Sequence, residues 1–322
     1  VTRIAVPVEL DPAAMAGWDA RAPVIEIGGA TMGTGWRARF AAPAELDREG
    51  LRGAAAALLD TLVAEMSHWE EGSALSRFNR AAPDSWTVLP PDFATVIAAA
   101  LEVAAQSGGA FDPAIGGLVD LWGFGPVASP EPPVAEAVEA ARALGGWRRL
   151  AFDPAARRLY QAGGVRLDLS GIAKGHAVDR LSALFAARGI RHHLVEIGGE
   201  FVGRGLRPDG DPWWVELETP GAVAPPIRVA LHQLAVATSG DYVRGRHTID
   251  PRTGRPVAHA LAVSVIHGSA MRADAWATAL SVVAPSELGG LCAAHGLAAR
   301  ALIREGGTTT EWISPALQKM ID

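Results

Sequence analysis

Val165–Asp179 reads V-R-L-D-L-S-G-I-A-K-G-H-A-V-D, and a change of periodicity inside it sets the fold class. Val165, Leu167 and Leu169 alternate as one apolar strand face, with Asp168 and Ser170 on the other. The chain bends through Gly171, and residues 173–188 then follow helical spacing until Gly189 closes them. Downstream, strand-like runs at 192–196, 213–218, 227–231, 233–237 and 261–266 follow one another. A helix at about 270–283 is ended by Pro285, and a last one covers about 286–296. Upstream, Leu51, Ala55, Leu58, Leu59, Leu62 and Met66 predict one helix. Phe93, Val96, Ile97, Ala100, Leu101 and Ala104 predict a second, which stops at Gly108-Gly109, and VAEAVEAARAL is a short third. Leu150–Phe152 and Leu159–Gln161 flank DPAARR as a hairpin. Pro7, Pro12 and Pro23 make residues 1–30 an arm leading into a first strand, and VASPEPPVAE is the best internal linker. Strands and helices mix with no βαβ repeat, so the fold class is α+β.

The 322 residues are 49% hydrophobic and 20% charged, ordinary for a globular chain. A chain of this length buries roughly three quarters of its unfolded surface and needs no disulfide or metal to fold. Net charge is −6 with no basic run, which excludes nucleic acid as the expected partner. No stretch reaches the roughly 18 apolar residues of a membrane span, and no signal peptide is visible at Val1. Cys292, the one cysteine, sits in the apolar run GGLCAAHGL and reads as packed.

Five segments hold more Gly, Asp, Ser and Thr than folding requires. In TMGTGW, Met32, Gly33 and Thr34 follow a strand; the plain structural reading is a tight turn with a buried Met. In SHWEEGSALSRFN, Trp69 continues the apolar stripe of the first helix, so core packing is its ordinary role. GGAFDPAIGGLVDLWGFG places Asp112 between Gly-Gly-Ala-Phe and Pro113, a backbone suited to close approach of a ligand or to a glycine-rich cover over the core.

The strand-to-helix turn 168–174 aims backbone N–H groups and a helix dipole outward. Lys174 is unfavourable to that dipole in a first turn, which points to an anionic partner. An N-cap by Ser170 with a solvated Lys174 is the plain alternative. In MRADAWATAL, Asp274 and Thr278 lie four apart on one helix face and offer two hard oxygens. With a carbonyl from a glycine turn such as Gly171 they would suit Mg²⁺, although alone such a pair is common surface decoration. His247 opens HTIDPRTG, and an isolated histidine is ordinarily a surface or core residue. Neither a zinc pattern, a P-loop, a G-x-S-x-G elbow nor HExxH occurs. The glycines from Gly198 form no G-x-G-x-x-G fingerprint.

TMGTGW, SALSRFN, GGAFDPAIGGLVDLWGFG, LDLSGIAKGHAVD, EIGG, ATSGDY, HTIDPRTGRP and ADAWATAL, in that order, resemble the FAD:protein FMN transferase (ApbE-type) family from Thr31 to about Leu280. The resemblance implies two packed αβ subdomains within one catalytic unit, residues 31–322, with FAD in the cleft between them. It implies Met32, Trp69, Ala110, Phe111, Asp112, Asp168, Lys174 and Thr248 around FAD. It implies Gly171 through its carbonyl, Asp274 and Thr278 on Mg²⁺, and His247 in catalysis. Trp69 stands where a tyrosine is common, and position 171 varies in the family.

The implied activity is Mg²⁺-dependent transfer of FMN from FAD to a Ser or Thr hydroxyl of an acceptor protein, releasing AMP. The acceptor would carry a short flavinylation motif and belong to a membrane-associated electron-transfer system. Many members carry a lipoprotein signal that is not seen here; the implied location is periplasmic, with the cytoplasm as alternative. In mechanism, a cation offsets diphosphate charge, His247 accepts the acceptor's proton, and Phe111 and Trp69 offer apolar faces to the flavin or adenine. An FAD pyrophosphatase giving FMN and AMP needs the same residues. A non-catalytic flavin carrier would leave Asp274, Thr278 and His247 superfluous.

Overall fold

The computed structural model describes residues 1–126, 129, 131–242 and 245–321. The fold is α+β, as expected. Its frame is an eight-stranded sheet in the order Thr308–Ile313, Ala298–Glu305, Ala260–His267, Leu234–Gly240, Glu200–Arg204, His193–Ile197, Thr34–Ala41, Val24–Thr31. Every neighbouring pair in it is antiparallel.

The central strands are covered on both faces, and the two-residue period divides their side chains between two cores. Val195, Ala235, Ala237, Val263 and Val265 point into the larger core. Their neighbours Leu194, Val236 and Ile266 point into the smaller one. That double burial is why runs such as LAVA read as continuous apolar stretches. On the larger side lie the Ala173–Ala187 and Ala270–Val282 helices, with Arg48–Met66 and Pro91–Gln106 packed beyond them. On the other side a three-stranded sheet, Arg3–Ala5, Ile227–Leu231 and Trp213–Glu216, and the Pro315–Ile321 helix close the smaller core. Residues 1–30, read above as an arm, thus hold two strands, Arg3–Ala5 and Val24–Thr31.

Local chemistry accounts for the ends of the helices that matter. Asp47 accepts from the Gly50 N–H at 2.9 Å to start Arg48–Met66. Ser269 caps Ala270–Val282 through the Arg272 N–H. Gly296, with φ 62°, closes Leu288–His295 in the left-handed conformation only glycine adopts without cost. The hairpin around DPAARR forms, with Phe152–Asp153 against Arg158–Leu159.

One expected strand does not form: among the described residues Val165–Leu169 pairs with no strand. Its polar backbone is satisfied elsewhere. The Asn79 side chain accepts from the Leu167 N–H and donates to the Leu167 carbonyl. Gln161 does the same for Val165. The alternation reflects burial on one side, not a ladder. A Gly116–Leu121 helix also forms inside the glycine-rich segment, which periodicity did not show. Of the VASPEPPVAE linker, Val127, Ala128 and Pro130 lie outside the described residues.

Candidate active site

Two hairpin turns lie side by side at one end of the large sheet. Met32 and Gly33, at φ 48° and 70°, join Val24–Thr31 to Thr34–Ala41 in the two-residue geometry that needs positive φ at both positions. Met32 is half-buried against the larger core. Gly198 and Gly199 make the neighbouring turn, and a Cβ on Gly198 would meet Thr34 Cγ2 at 2.9 Å. Glu200 follows that turn, is only 2% exposed, and pairs with Lys174 through Oε1.

Lys174 stands in the first turn of Ala173–Ala187, where that helix crosses Ala270–Val282. The crossing is close. A Cβ on Gly171 would lie 2.7 Å from Thr278 Oγ1, and one on Gly175 would lie 2.2 Å from the Ala270 carbonyl oxygen. The Gly175 N–H donates to Asp274 Oδ2 at 3.0 Å. Gly171, Lys174, Asp274 and Thr278 therefore form one group, to which the structure adds Glu200.

The electrostatics of this group are unfavourable as it stands. Burial raises the Asp274 carboxyl above its usual range, against the opposing pull of Lys174 and the Gly175 N–H. Burial, and then repulsion from Asp274, push Glu200 up to about 8 despite Lys174. Glu200 Oε2 is buried and has no hydrogen-bond partner among the described residues. Two buried carboxyls thus share one ammonium group.

A second group surrounds Asp168. Its Oδ1 accepts from the Ser170 N–H at 2.7 Å and faces His68 Nδ1 at 3.9 Å, while its own N–H donates to the Pro113 carbonyl. This joins the 68–69 and 110–113 segments. Asp112 is buried, and its oxygens accept from the Ala114 and Trp147 N–H groups at 2.8 and 3.0 Å. Burial pushes it up to about 6. Ala110 is buried beside it.

Two side chains depart from expectation. Trp69 is 59% exposed, tilted against the His68 ring at 5.3 Å, and does not continue the helix stripe. The helix stops at Met66 with Ser67 as C-cap, so the next residues turn outward. Phe111, by contrast, is 4% exposed and packs in the larger core, so its ring offers no open face. Of the two aromatic rings, Trp69 is the one that presents a stacking surface.

His247 and Thr248 belong to a separate loop. The His247 Nδ1 lies 2.9 Å from the Gly245 carbonyl oxygen. A carbonyl only accepts, so Nδ1 carries the proton and a neutral ring keeps its lone pair on Nε2. The ring stands edge-on to Phe124 at 6.4 Å. The Thr248 carbonyl accepts from the Val257 N–H, and Trp122 Nε1 donates to the Gly254 carbonyl at 2.8 Å. His247 is therefore positioned by Gly245 and the WGFG segment, not by the two helices.

The family pattern for ApbE matches residues 32–301, a span that holds every site residue above. The chain is 34% identical over 312 residues to an FAD:protein FMN transferase of Klebsiella pneumoniae (strain 342), covering 92% of this chain and 89% of that one. It is 32% identical over 315 residues to one from Escherichia coli (strain K12), with the same coverage. The fold matches the apo flavinyl transferase ApbE of Pseudomonas stutzeri with a TM-score of 0.87 at 36% identity, over 93% of this chain and 97% of that one. The chain belongs to the ApbE family of flavin transferases. The Vibrio cholerae flavin transferase ApbE gives the same TM-score at 32% identity, over 92% of this chain and 99% of that one. The two-subdomain αβ fold expected of an ApbE protein is the one found.

Sequence reasoning did not single out Glu200, His68 or Phe124. All three lie in or beside segments that carry the ApbE resemblance. A glutamate after a Gly-Gly turn is ordinarily solvated, and only the tertiary fold reveals that this one is not.

Proposed function

We propose that this ApbE-family chain transfers FMN from FAD to a Ser or Thr hydroxyl of an acceptor protein, with AMP as leaving group and Mg²⁺ as the required cation. The observation that carries this reading is the helix crossing, which gathers Asp274, Thr278 and Gly171 beside Lys174. The donor set fits the ion. A carboxylate and a hydroxyl are hard oxygens, and the close Gly171–Thr278 approach leaves room for no side chain between the helices. Among the described residues no three His, Cys, Asp or Glu side chains cluster. Mg²⁺ does not need such a cage, since it commonly takes one or two carboxylates and completes its shell with water and substrate phosphate. Burial opposes ionisation of both carboxyls beside the single ammonium, and a bound cation would favour their ionised forms. When bound, the ion would offset negative charge on the FAD diphosphate.

The chain's own residues supply the rest. Lys174 holds phosphate oxygens. Trp69 stacks on a flavin or adenine ring. Asp168, Met32, the Ala110–Asp112 backbone and Thr248 line FAD. The acceptor hydroxyl attacks the FMN phosphorus, the bond from that phosphorus to the AMP oxygen breaks, and the hydroxyl proton goes to His247 Nε2. Residues 31–322 act as one catalytic unit. The acceptor belongs to a membrane-associated electron-transfer system, and the site of action is the periplasm.

Incubation with FAD, Mg²⁺ and a candidate acceptor, followed by mass spectrometry, tests this reading. An FMN-sized addition on one Ser or Thr, with AMP released and EDTA abolishing both, is the expected result. FMN and AMP free in solution with no adduct on any acceptor tested would make the chain a pyrophosphatase. Intact FAD throughout would leave a carrier.

A further inference from the structure

The contacts between the two crossing helices recur every four residues. Along the first segment, Gly171, Gly175 and Asp179 fall on one side; along the second, Thr278, Asp274 and Ala270 answer them in reverse order. Matching rows four apart is the common way for helices to interdigitate. Two of the three rungs contain the candidate cation ligands. The third is formed by Asp179, for which the proposed chemistry has no role.

Asp179 holds the start of the Ala270–Val282 helix. Its Oδ2 accepts from Ser269 Oγ at 2.6 Å and from the Met271 N–H at 3.0 Å, and its Oδ1 accepts from the Ala270 N–H at 2.9 Å. First-turn N–H groups have no partner within their own helix, and a carboxylate there also meets the positive end of the dipole. Ser269 Oγ is the helix's own cap, so Asp179 binds both the cap and the first turn. The other two rungs do not lock the helix along its axis. Gly171 and Gly175 have no side chains to catch on the opposite helix. Among the described residues, the one hydrogen bond at these rungs runs through the Asp274 carboxylate, which ligation would draw on.

We propose that Asp179 is a positioning residue: by pinning the start of Ala270–Val282 it fixes the register in which Gly171, Asp274 and Thr278 meet, and so sets divalent-cation affinity. This rests on the Mg²⁺ reading above. Asp179 itself ligates nothing. It acts as outer support, whose loss typically weakens metal binding by about 10–100-fold.

The probe is Mn²⁺, titrated into the full chain with and without FAD and followed by electron paramagnetic resonance. Wild type, Asp179→Ala, Asp179→Asn and Asp274→Ala are compared, together with FAD affinity and melting temperature in EDTA. Wild type should bind Mn²⁺ and Asp274→Ala should not. Asp179→Ala should bind it about 10–100-fold more weakly, with FAD affinity in EDTA unchanged. Asp179→Asn keeps one acceptor oxygen and should fall between. A merely structural Asp179 would lower melting and leave Mn²⁺ half-saturation in place, which overturns the proposal. If Asp179→Ala does not fold, wild-type Mn²⁺ affinity in Asp179→Asn overturns it equally. Wild type showing no Asp274-dependent Mn²⁺ binding would sink the metal reading, and this proposal with it.

Discussion

Gly171 and Thr278 approach so closely that a methyl group on the glycine would stand 2.7 Å from the threonine hydroxyl oxygen. Two segments remote in sequence thereby bring the Gly171 backbone and the Thr278 hydroxyl together, one helical turn from Asp274. Asp274→Ala should abolish Mg²⁺-dependent transfer while the protein still folds. The change leaves the Gly175 N–H without its partner, a cost of about 1–3 kcal/mol, but it also removes a carboxyl whose burial is unfavourable. Thr278→Val, which loses a neutral ligand, should raise the Mg²⁺ needed for half-maximal transfer without abolishing it. Wild-type turnover of Asp274→Ala at low Mg²⁺ would refute the site.

For His247, hydrogen bonding to the Gly245 carbonyl fixes which nitrogen can accept a proton. His247→Ala should leave FAD affinity unchanged and slow saturated transfer by about 10²–10⁴-fold. Weaker FAD binding with a normal saturated rate would mean that the ring only packs.

The two aromatic residues should separate cleanly. Trp69→Ala, at an exposed position, should weaken FAD binding by about 1–3 kcal/mol, the usual worth of an aromatic stacked on a base, and leave the melting temperature alone. Phe111→Ala, in the core, should cost about 3–5 kcal/mol of stability. Calorimetric melts and FAD titrations of both variants decide the matter. A Trp69 variant with unchanged FAD affinity would remove it from the flavin site.

Glu200 gives the fold a pH signature. Its carboxyl is raised from 4.5 to about 8 in the folded chain. Between those values the folded state holds a proton that the unfolded state has released, so this residue's contribution to stability declines as pH rises through that window. Without Mg²⁺, Glu200→Gln should therefore gain stability relative to wild type from pH 5 to pH 8. Parallel melting curves across that range would show that Glu200 ionises normally.

Much of this site was legible because its chemistry is local. Asp274 and Thr278 share a face by helical arithmetic, and the glycines of 168–175 mark a turn wherever they occur. What escaped is set by the tertiary fold and by where a helix ends. Alternation in Val165–Leu169 records burial on one side, and nothing local shows that Asn79 and Gln161 replace a neighbouring strand. Trp69 sits on the extrapolated stripe of a helix that has already ended at Met66. The burial of Glu200 is set by Lys174 and Asp274, which no pattern around Gly198-Gly199 can announce.

The pairing of Trp36 with Ile197 has a consequence for biogenesis. The Thr34–Ala41 strand finds its inner neighbour, His193–Ile197, only after the Arg48–Met66, Pro91–Gln106 and Ala173–Ala187 helices have been synthesised. Non-local antiparallel ladders of this kind fold slowly and leave strand edges open in the meantime. Gly171 and Gly175 cannot meet Thr278 and Asp274 before the Ala270–Val282 helix docks, so the proposed cation site cannot assemble on a nascent chain.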